Sequence, residues 1–165
     1  LLIQQPVYYP FREVIEDNGR IFVNNQLHYE DGKYTIDFED FEKKIVDNNV
    51  KVFILCNPHN PVGRVWTKEE LEKMGDICLK HNVVIMDDEI HCDFTYPGFK
   101  FTSFMTLDEK YHNSLVLYTS PSKTFNVAGL QPANIIIKIR NSAQHTVRQM
   151  QQQVTAREAL WDRLQ

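Results

Sequence analysis

Apolar residues in this chain form short unbroken runs, and the segments between the runs have helical periodicity. The runs cover residues 1–3, 50–55, 83–86, 115–118 and 134–137. None of them alternates apolar with polar side chains, which is the pattern of a strand covered on both faces of a sheet. We therefore predict a strand at each run, with a further strand over residues 20–27 and a turn at 30–33.

Helix signals occupy the gaps between these runs. Residues 11–17 form a short amphipathic segment that ends at Asn18 and Gly19. Asp37 begins a second helix, in which apolar residues recur at helical spacing. The clearest helix covers residues 67–82, where Thr67 and Glu70 have the spacing of a capping box.

The alternation of strands and helices predicts the fold class. Apolar strands separated by helices favour a mostly parallel sheet with helices on both faces, which is an α/β fold with three αβα layers. The chain begins inside an apolar run at Leu1, as in a strand cut from a longer protein. We expect residues 1–140 to form the central part of a large domain and residues 141–165 to form a separate helical segment.

Composition narrows the classes of function. The 165 residues carry a net charge of -4, which argues against a nucleic acid or an anionic membrane as partner. No apolar run has the length needed to cross a bilayer. Cys56, Cys78 and Cys92 have no disulfide-framework spacing, and a sparse, odd number of cysteines is typical of reduced thiols in a cytoplasmic protein.

Chemically distinct side chains follow three successive predicted strands. An asparagine-rich loop covers residues 57–63, an acidic segment with a histidine covers 87–91, and a lysine with two serines covers 120–123. Ligands of open α/β sheets bind at the carboxyl ends of the strands, so we expect these groups to lie close together. A lysine can carry the aldehyde of pyridoxal phosphate, a carboxylate can keep its ring nitrogen protonated, an amide or imidazole can hydrogen-bond its phenolic oxygen, and hydroxyls can hold its phosphate.

Lys123 is central to this hypothesis. It comes just after a buried strand, so we expect its amine to be shielded from bulk water and shifted toward the neutral, nucleophilic form. Each group alone has a simpler interpretation: a solvated loop lysine, a turn-forming Asn57, a solvated acidic loop, a structural His91, and serines that cap backbone groups. The order and spacing of all of them together favour a cofactor site.

Three motifs carry a resemblance to a known family. They are Asn-Pro-His-Asn-Pro-Val-Gly at residues 57–63, Asp-Glu-Ile-His at 88–91 and Ser-Pro-Ser-Lys-Thr-Phe-Asn at 120–126. Together they resemble the signature motifs of fold-type I pyridoxal-phosphate enzymes of the aminotransferase class I/II group. Within that group the chain most resembles the carbon–sulfur lyase branch, the cystathionine β-lyases of the MalY/PatB type.

The resemblance implies a role for each residue of these motifs. Lys123 matches the lysine that forms the Schiff base and moves the substrate's α-proton, and Asp88 matches the aspartate at the pyridine nitrogen, whereas Asp87 matches a non-catalytic position. The resemblance implies that Asn60 and His91 bind the ring oxygen. It further implies that Tyr8 stacks on the face of the ring and that Ser120 and Ser122 bind the phosphate. The resemblance also implies a small amino-acid substrate and a homodimer.

Two features depart from the family pattern. Gln131 stands where many members carry a phosphate-binding arginine, although the lyase branch tolerates this change. The family's upstream phosphate loop and its downstream arginine for the substrate carboxylate have no counterpart in this sequence. We therefore expect the chain alone to be inactive.

Three functions remain open on the sequence. A carbon–sulfur β-lyase would convert cystathionine or a cysteine-type amino acid to a thiol, ammonia and a keto acid. An aminotransferase would use the same cofactor. A non-catalytic metal-binding or interaction module would use cysteines and histidines instead, but it lacks the paired ligand spacing of known sites. Its candidate ligands are Cys56, His59, Cys78, His91 and Cys92.

Overall fold

The computed structural model describes residues 1–138, so the predicted helical segment 141–165 lies outside the described residues. Its helices and strands alternate along the chain. They are β1 Leu2–Ile3, α1 Pro10–Asp17, β2 Val23–Asn24, β3 His28–Glu30, β4 Lys33–Thr35, α2 Phe38–Asp47, β5 Val52–Cys56, α3 Lys68–Lys80, β6 Val84–Asp88, β7 Leu115–Thr119 and β8 Asn134–Ile137. Short 3-10 helices cover Phe104–Thr106, Glu109–Ser114 and Ala128–Leu130.

Six strands form the main sheet, in the order β2-β1-β5-β6-β7-β8. All neighbouring pairs are parallel except β7 with β8, which is antiparallel. The prediction of a mostly parallel α/β sheet is confirmed. The predicted strand over residues 20–27 is wrong in length, because only Val23–Asn24 pairs with the sheet.

Helices cover both faces of the sheet. On one face, α2 and α3 bury Phe41, Leu71 and Met74 against Phe53 and Ile85, which lie on the central strands. On the other face, the second apolar cluster packs α1 against the sheet; it contains Ile15, Ile3, Ile54 and Cys56. The side chains of β5 are therefore buried on both faces, which explains why this strand has no polar alternation.

Both predicted helix caps are present. The side chain of Asp37 accepts a hydrogen bond from the Asp40 N–H at 2.9 Å at the start of α2. At the start of α3, Thr67 Oγ1 accepts from the Glu70 N–H, and the Glu70 carboxylate accepts from the Thr67 N–H. These contacts satisfy N–H groups that have no partner inside the helix.

The hairpin of β3 and β4 was missed by the sequence analysis, which predicted only its turn. Its strands pair antiparallel, with Tyr29 opposite Tyr34. The hairpin is mostly exposed, so its strands bury no continuous face and need no apolar pattern in the sequence. Arg64 secures it to the rest of the domain by donating to the carbonyl oxygen of Tyr34 and pairing with Glu70 at the start of α3.

Gly75 marks the tightest contact between α3 and the segment before β7. A Cβ atom at this position would lie 2.6 Å from the ring of Tyr111 and 3.0 Å from the ring of Phe104. Tyr111 is buried, and its hydroxyl donates to Asp76 at 2.8 Å, so its ring has no room to move aside. Glycine is therefore required here for close packing rather than for its backbone freedom.

We expect Gly75→Ala to destabilise the protein by up to about 2 kcal/mol. Overpacking a core typically costs about 1–3 kcal/mol, which outweighs the gain of about 1 kcal/mol from alanine's higher helix propensity. Thermal unfolding followed by circular dichroism measures the change. The double variant Gly75→Ala/Tyr111→Leu should lose less than the sum of the single variants. A more stable Gly75→Ala protein would contradict the prediction.

Candidate functional site

The carboxyl ends of β5, β6 and β7 lie side by side, as expected for neighbouring parallel strands. Cys56 is in register with Asp88, and Asp88 is in register with Tyr118. Hydrogen bonds continue past the strand ends, from the Asn57 N–H to the Asp88 carbonyl and from the Glu89 N–H to the Tyr118 carbonyl. The loops predicted to carry the site therefore begin at one edge of the sheet.

Strand β6 is longer than predicted, and its end separates the two aspartates. Both residues were expected in a loop, but both pair within the sheet. Because side chains alternate across a strand, Asp87 and Asp88 point to opposite faces. Asp87 is fully buried, whereas Asp88 is partly exposed and lines a cavity. The difference in role that the sequence analysis assigned to them thus has a structural basis, although the roles themselves remain predictions.

Asp88 lines a cavity of about 300 Å³. Phe11 of α1, Tyr118 at the end of β7 and Ser120 line the same cavity. The Oδ1 atom of Asp88 accepts a hydrogen bond from the Ile90 N–H at 3.1 Å. Burial raises the pKa of Asp88, and the Ile90 N–H and the His91 ring oppose that shift.

Asn60 and His91 line a second, larger cleft of about 870 Å³. The cleft is bounded by the turn of the β3–β4 hairpin and by exposed aromatic residues that follow His91, among them Phe94 and Tyr96. The pKa of His91 is lowered by burial, raised by the nearby charge of Asp88 and lowered by that of Lys123. His91 therefore lies close enough to Asp88 and Lys123, two other residues of the predicted site, for their charges to affect its pKa.

Lys123 is exposed, which corrects the expectation that its amine is shielded from water. The residue before it, Ser122, is buried, so the exposure concerns the lysine and not the whole loop. The loop is nevertheless fixed at its edges. Thr124 Oγ1 donates to Asp93 at 2.6 Å, which joins the lysine loop to the segment that follows His91.

The two serines of the lysine loop are hydrogen-bonded to each other and to the loop backbone. Ser120 Oγ donates to the Pro132 carbonyl at 2.6 Å, and it accepts from the Ser122 N–H at 3.0 Å. The two hydroxyl oxygens lie 2.7 Å apart. Ser122 is buried, whereas Ser120 lines the Asp88 cavity.

Tyr8 lies in the connector between β1 and α1 and is 45% exposed. Its ring contacts Phe11 edge to face, with centroids 5.8 Å apart. Phe11 lines the Asp88 cavity, so Tyr8 contacts a residue of the cavity wall without lining the cavity itself. A planar ligand in the cavity would therefore have an aromatic ring nearby.

The asparagine loop holds two buried polar residues whose structural contacts the sequence did not reveal. Asn57 is fully buried, and its Nδ2 donates to the Thr102 carbonyl at 3.1 Å. His59 is also buried, and its Nε2 lies 3.0 Å from the Pro6 carbonyl oxygen. Both contacts join segments more than forty residues apart in sequence, so no local pattern could have predicted them.

The described residues do not favour the metal-binding hypothesis. Within residues 1–138, no three His, Cys, Asp or Glu side chains come together as metal ligands would. The three cysteines are free, and burial raises the pKa of Cys56 to about 12, so this thiol is not ionised at neutral pH. Among the helices of the described range, none is both long and apolar enough to cross a membrane.

Comparison with known proteins identifies the family. The chain belongs to the aminotransferase class I and II family, which it matches over residues 1–161. It is 49% identical over 140 residues to the cystathionine beta-lyase PatB of Bacillus subtilis (strain 168), and the match covers 85% of this chain and 36% of PatB. It is 42% identical over 97 residues to a probable kynurenine–oxoglutarate transaminase of Saccharomyces cerevisiae, covering 59% of this chain and 21% of the transaminase.

A solved structure gives the same relationship at the level of the fold. The crystal structure of cystalysin from Treponema denticola, which contains pyridoxal 5'-phosphate, superposes with a TM-score of 0.81 at 47% identity. The superposition covers 83% of this chain and 35% of cystalysin. The chain thus spans about a third of the length of PatB and cystalysin.

Proposed function

We propose that this chain is the central part of the cofactor domain of a pyridoxal-phosphate-dependent carbon–sulfur β-lyase. Residues 1–140 would form that part of the domain. The observation that carries the proposal is the carboxyl edge of β5, β6 and β7, where the loops that carry Asn60 and Lys123 begin on either side of Asp88 and where His91 lies within electrostatic range of Asp88 and Lys123. The similarity to PatB and to cystalysin, with its pyridoxal 5'-phosphate, supports the lyase branch.

The residues at this edge fit the proposed cofactor. Asp88 is a partly buried carboxylate whose pKa is raised because burial outweighs its hydrogen bond and the nearby histidine. A cationic ring nitrogen beside it would restore the charged form of the carboxylate, because opposite charges stabilise each other. When bound there, the cofactor would supply an electron sink for the electrons of the substrate's α-carbon, and Asp88 would keep its ring nitrogen protonated.

Each remaining residue of the predicted site has a task in this proposal. Lys123 would hold the cofactor covalently and move the α-proton of the substrate. Asn60 and His91 would hydrogen-bond the ring oxygen, and Tyr8 would cover the face of the ring. Ser120 and Ser122 would bind the phosphate through their hydroxyl groups, which would exchange the bonds that they make to each other and to the Pro132 carbonyl.

The proposed substrate is a small amino acid with sulfur on its β-carbon. After the α-proton has been removed, a thiolate is a good leaving group, so the protein has to supply orientation more than chemical activation. The products would be a thiol, ammonia and a keto acid. We further propose that the full-length protein is a homodimer located in the cytoplasm, the latter in keeping with its free cysteines.

Release of products without an acceptor tests the proposal. We expect the full-length protein to form thiol and pyruvate from cystathionine when no keto acid is added, as measured with a thiol reagent and a coupled pyruvate assay. An aminotransferase is the second candidate, favoured by the similarity to the yeast transaminase. A protein that is silent until a keto acid is supplied, and that then produces the aminated acceptor, would be an aminotransferase instead.

A further inference from the structure

His59 joins two loops that are far apart in sequence. Its side chain is 2% exposed, and its Nε2 lies 3.0 Å from the carbonyl oxygen of Pro6, which is 53 residues earlier in the chain. A backbone carbonyl can only accept a hydrogen bond, so Nε2 carries the proton and donates it. The other ring nitrogen, Nδ1, is buried and has no hydrogen-bond partner among the described residues.

The rest of His59 is held firmly in its own loop. Its N–H donates to the Arg64 carbonyl at 2.7 Å, and its carbonyl accepts from the Gly63 N–H at 2.8 Å. Its ring packs edge to face on Trp66, with centroids 5.3 Å apart. The Trp66 indole N–H donates in turn to the Cys56 carbonyl at the end of β5.

The imidazole is neutral under working conditions. Burial lowers the pKa of His59 to about 4, and this effect outweighs the hydrogen bond to Pro6, which favours the charged form. A neutral ring with one fixed tautomer and no exposed nitrogen is poorly suited to proton transfer. It is well suited to hold two segments at a constant separation.

The two segments joined by His59 carry two residues of the proposed site. Pro6 comes two residues before Tyr8, the proposed stacking residue, and His59 comes directly before Asn60, the proposed ligand of the ring oxygen. We propose that His59 is a positioning residue that sets the separation of two loops, the tyrosine loop of residues 4–9 and the asparagine loop of residues 57–63, and that it thereby controls how tightly the cofactor is held. This inference rests on the proposed function.

Two variants of the full-length protein separate the hydrogen bond from the shape of the ring. His59→Phe keeps a flat ring against Trp66 but removes the donor to Pro6. His59→Gln keeps an N–H donor at about the position of Nε2. The dissociation constant of pyridoxal 5'-phosphate, measured by equilibrium dialysis on the cofactor-free protein, is the main readout. Thermal unfolding of the same cofactor-free samples reports any structural loss.

We expect His59→Phe to raise the dissociation constant about tenfold, which is the scale of one lost hydrogen bond that leaves a partly buried carbonyl without its partner. His59→Gln should remain within about threefold of the wild type. The cofactor's induced circular dichroism should weaken in the phenylalanine variant and recover in the glutamine variant, because the tyrosine and asparagine loops set its surroundings.

Three results would overturn the inference. Wild-type cofactor affinity in His59→Phe would show that the hydrogen bond from His59 to Pro6 does not control cofactor binding. If both variants lost the same cofactor affinity, in proportion to the fall in their unfolding temperatures, His59 would have a role in stability alone. A wild-type protein that binds no pyridoxal 5'-phosphate would overturn the proposed function together with this inference, whereas the first two results would leave the proposed function intact.

Discussion

Replacing Lys123 with alanine is expected to abolish both covalent attachment of the cofactor and turnover in the full-length protein. The loss in kcat should be at least about 10⁴-fold, the upper range for one general acid–base group, because the same amine would also hold the cofactor. Borohydride reduction of the wild-type protein followed by peptide mapping should find the pyridoxyl group on Lys123. The alanine variant should carry no such label.

Lys33 is the appropriate control for this experiment. It lies in β4 and lines the cleft that contains Asn60 and His91, so it is the described lysine best placed to compete for the cofactor. Lys33→Ala should keep both the label on Lys123 and turnover close to wild type. A label on Lys33, or a Lys123→Ala protein that still turns over substrate, would show that the lysine has been wrongly identified.

The exposure of Lys123 also shows where sequence reasoning reached its limit. Its position after an apolar strand predicted a shielded amine, and the strand itself is present as β7. Burial, however, depends on which segments cover each residue of a loop, and within residues 1–138 Lys123 stays exposed although the adjacent Ser122 is buried. A strand pattern reports what packs on the strand and carries no information about the loop that follows.

The central strands could be predicted because helices pack on both of their faces. Leu55, Ile85 and Leu117 lie on one face of neighbouring strands and are buried, while Ile54 is buried on the opposite face. Covering both faces forces an unbroken apolar run, which sequence can display. The β3–β4 hairpin has no such constraint, since Tyr29 and most of its neighbours are exposed, and its pairing was therefore missed.

Part of the candidate site could be predicted from the sequence because the three motifs follow one another in the same order as three neighbouring strands of the sheet. Asn60 and Lys123 follow β5 and β7, and Asp88 is the last residue of β6, which lies between those two strands in the sheet. The bridge from His59 to Pro6 was not accessible, because it depends on the loop after β5 reaching back to the connector that follows β1. Contacts of this kind arise from tertiary structure and have no local signature.

The two adjacent aspartates of β6 should respond in opposite ways to the same substitution. Asp88→Asn keeps an oxygen that can accept the Ile90 N–H but removes the negative charge that would stabilise a protonated ring nitrogen. We expect α-proton exchange, measured on a substrate in deuterated water by NMR, to slow by roughly 10²- to 10⁴-fold. The unfolding temperature of the cofactor-free protein should change little.

Asp87→Asn should instead leave α-proton exchange near wild type and change stability. Burial raises the pKa of Asp87 well above its usual range, and the neighbouring Glu89 carboxylate raises it further. Since the unfolded state gives up this proton near pH 4 and the folded state keeps it to higher pH, the free energy of unfolding that Asp87 contributes falls as the pH rises above about 4. Asparagine cannot ionise, so the variant should lose that part of the pH dependence in denaturant titrations between pH 4 and 8. If Asp87→Asn slowed proton exchange and Asp88→Asn did not, the aspartate that faces the cofactor would be Asp87, and the register proposed for the site would be wrong by one residue.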